Sequence, residues 1–120
     1  MLLCDDDDGV RDLLGEFLTS IGYTVREASD GEEALRLLDS GAEVDLLITD
    51  YAMPGLDGLE MIRQARLRRP ELRSLVITGH AAPLAGDIGG VPILRKPFPP
   101  NELARRMAAI LAPDANHPDL

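Results

Sequence analysis

The run Val44-Asp45-Leu46-Leu47-Ile48-Thr49 is apolar almost throughout. It lacks the alternation of a strand with one wet face, and it is too short for an ordinary helix. A strand of this kind is buried on both faces, which requires a parallel sheet with helices packed above and below. The run stops abruptly at Asp50. A second apolar run, Met1-Leu2-Leu3-Cys4, stops in the same way at Asp5-Asp6-Asp7-Asp8. Leu75-Val76-Ile77-Thr78 and the short Pro92 to Arg95 read as two further buried strands, the first ending in a hydroxyl and the second followed by Lys96.

Amphipathic segments separate these runs. Val10, Leu13, Leu14, Phe17, Leu18 and Ile21 fall on helical spacing, with acids ahead of them and Gly22 as a stop. Tyr23 to Ala28 alternates and reads as a half-buried edge strand. Asp30-Gly31-Glu32-Glu33 offers an acidic cap with Glu three residues on, leading into Ala34, Leu35, Leu37 and Leu38 and stopping at Gly41. Asp57-Gly58-Leu59-Glu60 repeats that cap before a helix over Leu59 to Leu67, which Pro70 ends. Asn101 is expected to cap a last helix carrying Leu103, Met107, Ile110 and Leu111 on one face. Strands alternating with helices, and no repeat or linker, predict an open α/β sheet wound on both faces. Residues 1–112 are expected to form one domain and 113–120 a flexible tail.

Composition narrows the function. The 120 residues carry a net charge of −9 and 45% hydrophobic residues, enough for a single core. The densest basic group, Arg66, Arg68 and Arg69, suits a solvated helix end, so neither nucleic acid nor an anionic membrane is an expected partner. The single cysteine makes no internal disulfide, and Cys4 reads as a small core hydrophobe. No run reaches membrane-spanning length and no secretion leader is legible, so the cytoplasm is the expected compartment. The sequence leaves the oligomeric state open, with a monomer slightly favoured.

Ligands of open parallel sheets bind at the carboxyl ends of the strands. Asp5, Asp6, Asp50, Thr78 and Lys96 all stand there. Carboxylates that converge repel unless a hard cation neutralises them. Acids, a hydroxyl and an ammonium at one sheet edge are the parts of a phosphoryl site: the cation and the lysine take up charge while one carboxylate attacks.

Taken together and in order, CDDD, ITDYAMPGLDG, VITG and RKPF resemble the receiver domain of bacterial two-component response regulators, across nearly the whole chain. The resemblance implies a flavodoxin-like (βα)5 fold with strand order 2-1-3-4-5. It implies that Asp50 accepts a phosphoryl group from the phosphohistidine of a histidine kinase. Asp5 and Asp6 would be the acidic pair that binds Mg2+, or Mn2+, directly or through water, together with Asp50 and the backbone carbonyl of Ala52. Thr78 would bond one phosphoryl oxygen and Lys96 another, with a cis peptide at Lys96–Pro97. Such a domain is a signalling module that catalyses only its own phosphorylation and dephosphorylation.

Two departures bear on switching. Ile93 stands three positions before Lys96, where many receivers carry an aromatic residue, and the short Thr78–Lys96 interval implies a shortened or irregular fourth helix. The Ala-, Gly- and Pro-rich stretch from Gly79 to Val91 is expected to be the most mobile part. VPILRKPF with such a helix is similar to receivers of hybrid histidine kinases, and Met1 stands close enough to Asp5 to suggest a piece of a longer protein. A rival is also on the page. Asp6-Asp7-Asp8-Gly9-Val10 resembles the D-x-D-G-[TV] signature of haloacid-dehalogenase-type phosphatases, with Asp6 as nucleophile and Asp8 as acid, although that reading leaves Asp50 and Met53-Pro54-Gly55 unexplained. A third reading is an interaction module with a receiver fold that works without phosphorylation.

Overall fold

The computed structural model describes residues 1–51, 57–79 and 91–111. In chain order these form β1 (Leu2–Cys4), α1 (Asp8–Ser20), β2 (Arg26–Ala28), α2 (Gly31–Asp39), β3 (Leu46–Asp50), α3 (Gly58–Arg68), β4 (Arg73–Thr78), β5 (Ile93–Arg95) and α4 (Pro100–Leu111). The strands make one sheet in the order β2-β1-β3-β4-β5, with every neighbouring pair parallel. The expected helix between β4 and β5 and the 113–120 tail lie outside the described residues, as do Ala52 and most of the stretch expected to be mobile.

The alternation of side chains along the strands divides the core in two. Leu2, Cys4, Leu47 and Val76 meet α2 and α3 through Ala34, Leu38, Met61, Ile62 and Ala65. Leu3, Leu46, Ile48, Leu75, Ile77 and Leu94 meet α1 and α4 through Leu18, Leu103 and Met107. Both faces of β3 are therefore dry, as its composition requires. Leu13 and Ile21 are exceptions to the expected stripe of α1: they are 68% and 44% exposed. The helix contacts the sheet through Leu14, Phe17 and Leu18, and Leu13 falls outside that arc.

Aspartates start three of the four helices among the described residues. Asp7, Asp30 and Asp57 accept the backbone N–H groups of Val10, Glu33 and Glu60 at 3.1, 2.8 and 2.9 Å. Glu33 also accepts the N–H of Ser29, the residue ahead of the cap, at 2.6 Å. Replacing Asp30 by alanine is expected to cost about 1 kcal/mol, read as a lower denaturation midpoint. Gly22 and Gly41 end α1 and α2 with φ of 105° and 87°, the left-handed region that glycine enters without a Cβ penalty. Two expectations are corrected. The alternating segment from Tyr23 pairs only over Arg26–Ala28, because its partner β1 offers only the rungs Leu2 to Cys4. Asn101 is not a cap: α4 begins at Pro100, whose ring fixes a helical φ, leaving Asn101 inside the first turn.

Candidate phosphoryl site

The parallel register brings the chemistry to one edge. Cys4 pairs with Thr49, Thr49 with Val76, and Val76 with Ile93. One rung further come Asp50 and Ile77, and beyond them Thr78 opposite Arg95. Asp5 directly follows β1, and its N–H bonds the carbonyl of Ala28 at 3.1 Å, extending that side of the ladder by one residue.

Asp5, Asp6 and Asp50 each place a carboxylate oxygen within 4.8 Å of the other two. Asp5 is buried, Asp50 half-buried and Asp6 exposed, so the cluster opens toward solvent on one side. Burial raises the Asp5 carboxyl above its ordinary range, and the neighbouring Asp50 and Asp6 charges push the same way. The N–H of Asp7, donating to Asp5 Oδ1 at 2.9 Å, and the Lys96 ammonium oppose that rise.

This donor set fits a hard divalent cation. Octahedral Mg2+ holds its oxygens at about 2.1 Å, so ligand oxygens lie roughly 3 to 4.2 Å apart. Three carboxylates spread over as much as 4.8 Å need only a small closure, or one bridging water, to meet that demand. Ala52, expected to add a carbonyl, lies outside the described residues.

Thr78 is buried at the tip of β4. Its carbonyl accepts the N–H of Lys96 at 2.7 Å, which extends the β4–β5 ladder to the lysine. A Cβ placed on Gly79 would lie 3.6 Å from Lys96 Cδ and 3.7 Å from its Cβ, so the lysine stem runs across Gly79, and its charge is felt at Asp5. The Lys96–Pro97 peptide is cis. Ile93 is half-buried and packs with the α2–α3 side of the core.

Backbone bonds tie Tyr51 to β4 and to the start of α3. Tyr51 donates its N–H to Ile77 O at 2.9 Å and accepts the Gly58 N–H at 2.8 Å. A Cβ on Gly58 would lie 2.6 Å from Asp50 O and 2.8 Å from Tyr51 Cα, so only glycine lets α3 begin against the end of β3. Thr49 Oγ1 also donates to the Asp50 carbonyl, at 3.0 Å. Cys4, behind the acids, is fully buried and its thiol is pushed up to about 12, chiefly by that burial, which keeps it a neutral core group.

The rival phosphatase signature does not assemble. Asp7 caps α1, and Asp8 is the first residue of that helix with its carboxylate held by Arg11 at 2.6 Å. Neither belongs to the metal-capable group formed by Asp5, Asp6 and Asp50.

The sequence model of the response regulator receiver domain matches residues 1–108. The chain belongs to the response regulator receiver family. Among curated relatives, the response regulator MprA of Mycobacterium ulcerans (strain Agy99) is 44% identical over 115 residues, spanning 92% of this chain and 49% of that one. The receiver thus spans about half the length of the curated relatives it matches. Among solved structures, a response regulator receiver protein from Sinorhizobium medicae WSM419 superposes with a TM-score of 0.85 at 33% identity, covering 92% of this chain and 91% of that one. The receiver domain from the hybrid histidine kinase CckA gives 0.80 at 37% identity, covering 92% and 96%. The flavodoxin-like fold, its strand order and membership in two-component signalling are therefore as expected. No helix among the described residues is long and apolar enough to cross a membrane.

Two contributors escaped the reading of the sequence. Gly58 stood out only as part of a cap, and Arg11 did not stand out at all. A glycine directly after a capping aspartate, at the return from an acidic strand end, was the available signal for the first. Arg11 acts through a backbone carbonyl and left none.

Proposed function

We propose that this receiver takes a phosphoryl group onto Asp50 from the phosphohistidine of a histidine kinase, in a reaction that needs Mg2+. The observation that supports it is the convergence of Asp5, Asp6 and Asp50 at the strand edge that Thr78 and Lys96 also border. A carboxylate oxygen of Asp50 attacks phosphorus, the bond from phosphorus to the donor nitrogen breaks, and the imidazole leaves with the electron pair. Asp5, Asp6, Asp50 and the carbonyl of Ala52 would hold the cation, which would supply the positive charge that screens the two anions from one another. Lys96 neutralises one phosphoryl oxygen, and the Thr78 hydroxyl donates to another. Nothing in this chemistry requires an external substrate beyond the donor, so the domain catalyses only its own phosphorylation and hydrolysis. The cytoplasm, where such kinases present phosphohistidine, is the compartment this reading implies.

Intact-mass measurement after incubation with acetyl phosphate and Mg2+ tests the assignment. The parent is expected to gain one phosphoryl group and Asp50→Asn none. Labelling that persists in Asp50→Asn, or that Asp6→Asn alone removes, would move the acceptor away from Asp50.

A further inference from the structure

Asp5 and Asp6 stand on the loop between β1 and α1, and one side chain of α1 reaches back to it. Arg11 is a helix residue, yet its side chain is only 14% exposed, because it folds back under the loop after β1. One guanidinium nitrogen donates to the backbone carbonyl of Asp5 at 2.8 Å, and a second donates to Asp8 Oδ1 at 2.6 Å. Nε faces Glu27 Oε1 on β2 at 3.4 Å. The planar fork thus joins the tip of β1, the first turn of α1 and the edge strand.

The gripped oxygen matters because of its place in the chain. It belongs to the peptide unit that links Asp5 to Asp6. That unit is planar, so holding its oxygen fixes the plane and restricts the directions in which the two carboxylates leave the backbone. The ladder also ends here: Asp5 N–H is paired with Ala28, but β1 stops at Cys4, and its next carbonyl needs a donor from elsewhere.

We propose that Arg11 is a positioning residue for the acidic pair, holding Asp5 and Asp6 in the relative orientation in which they share a divalent cation with Asp50. This rests on the phosphoryl-site reading above. It makes a prediction opposite in sign to simple electrostatics. Arg11 is a positive charge close to the acids, so if charge were its only influence, neutralising it would tighten cation binding. If it positions the pair, neutralising it loosens cation binding despite the more negative surroundings.

Mg2+ titration followed by amide NMR shifts of the residues around Asp5 and Asp50 separates the two. Arg11→Gln is expected to weaken Mg2+ affinity roughly tenfold, the lower end of what is lost when a partner that orients a metal ligand is removed. Arg11→Lys, which keeps the charge and one donor for the carbonyl but not the fork, is expected to recover part of it. In the metal-free protein, amide exchange at Asp6 and Asp7 is expected to rise in Arg11→Gln while the strands keep their protection. Should Arg11→Gln fail to fold, the lysine variant carries the test through its own weakened affinity. Unchanged or tighter Mg2+ binding in a folded variant, with the parent binding normally, would overturn the positioning role alone. A parent that shows no Mg2+ response would overturn the phosphoryl-site reading, and this role with it.

Discussion

Gly58→Ala is expected to destabilise the domain by about 3 kcal/mol, the upper part of the range for forcing an extra carbon into a packed site. The neighbours of the new Cβ would be Asp50 O at 2.6 Å and Tyr51 Cα at 2.8 Å, both backbone atoms. Neither can rotate away as a side-chain tip would. Relief requires α3 to back off from β3, which breaks the 2.8 Å bond from Gly58 N–H to Tyr51 O and shifts the residue that follows Asp50. For a domain of this size the loss corresponds to a fall in thermal midpoint of roughly 10 °C. Gly9→Ala is the control, since its Cβ would meet only Asp7 Oδ1, at 3.4 Å, and it is expected to melt close to the parent. Similar midpoints for the two variants would show that α3 is not seated against Asp50 as described.

The acidic cluster, as the proposed cation site, gives the second large effect. A cation that binds the folded chain alone stabilises it by about 2.7 kcal/mol at a hundred times its Kd. Asp6→Ala is expected to remove most of that gain while raising the midpoint of the metal-free protein, because one of three clustered charges is gone. Asp5 adds a pH signature. Its folded-state pKa is raised above the ordinary 3.8, first by burial, so the metal-free fold carries a penalty whenever this group is ionised. That penalty is fully present above the raised pKa and fades as pH falls through it toward 3.8. Metal-free Asp5→Asn, which keeps an acceptor for the Asp7 N–H, is therefore expected to melt above the parent near neutral pH and to converge on it in acid. Melts with and without Mg2+ across that range check both statements. A constant gap at every pH would remove ionisation of Asp5 as the cause.

How much of this was legible follows from which physical signals are local. The parallel sheet was readable because β3 must be dry on both faces, and the helix starts because an aspartate binds an N–H only three residues away. The acids were readable because a charge that ends an apolar run has few structural reasons to be there. Pairing is not local. The extent of β2 depends on how many rungs β1 offers, which no property of Tyr23 to Arg26 reveals. The need for Gly58 arises from a carbonyl eight positions earlier, and the role of Arg11 from a carbonyl and from Glu27 on a different strand. Leu13 was misplaced for a related reason: helical spacing gives a stripe, but only the neighbouring sheet decides where the stripe ends.

Among the described residues, the two halves of the core share a sheet but no side chain. Volume changes above the sheet are therefore felt below it only through the strand backbones, and paired substitutions such as Leu38 with Met107 should combine with nearly additive free energies. A lineage can rewrite the α1–α4 surface for a new partner, with compensating changes confined to that side, while the opposite half stays as it is. Strands β1 and β3 send side chains into both halves and end at the acids, so a shift in either half reaches the acids through the same two backbones.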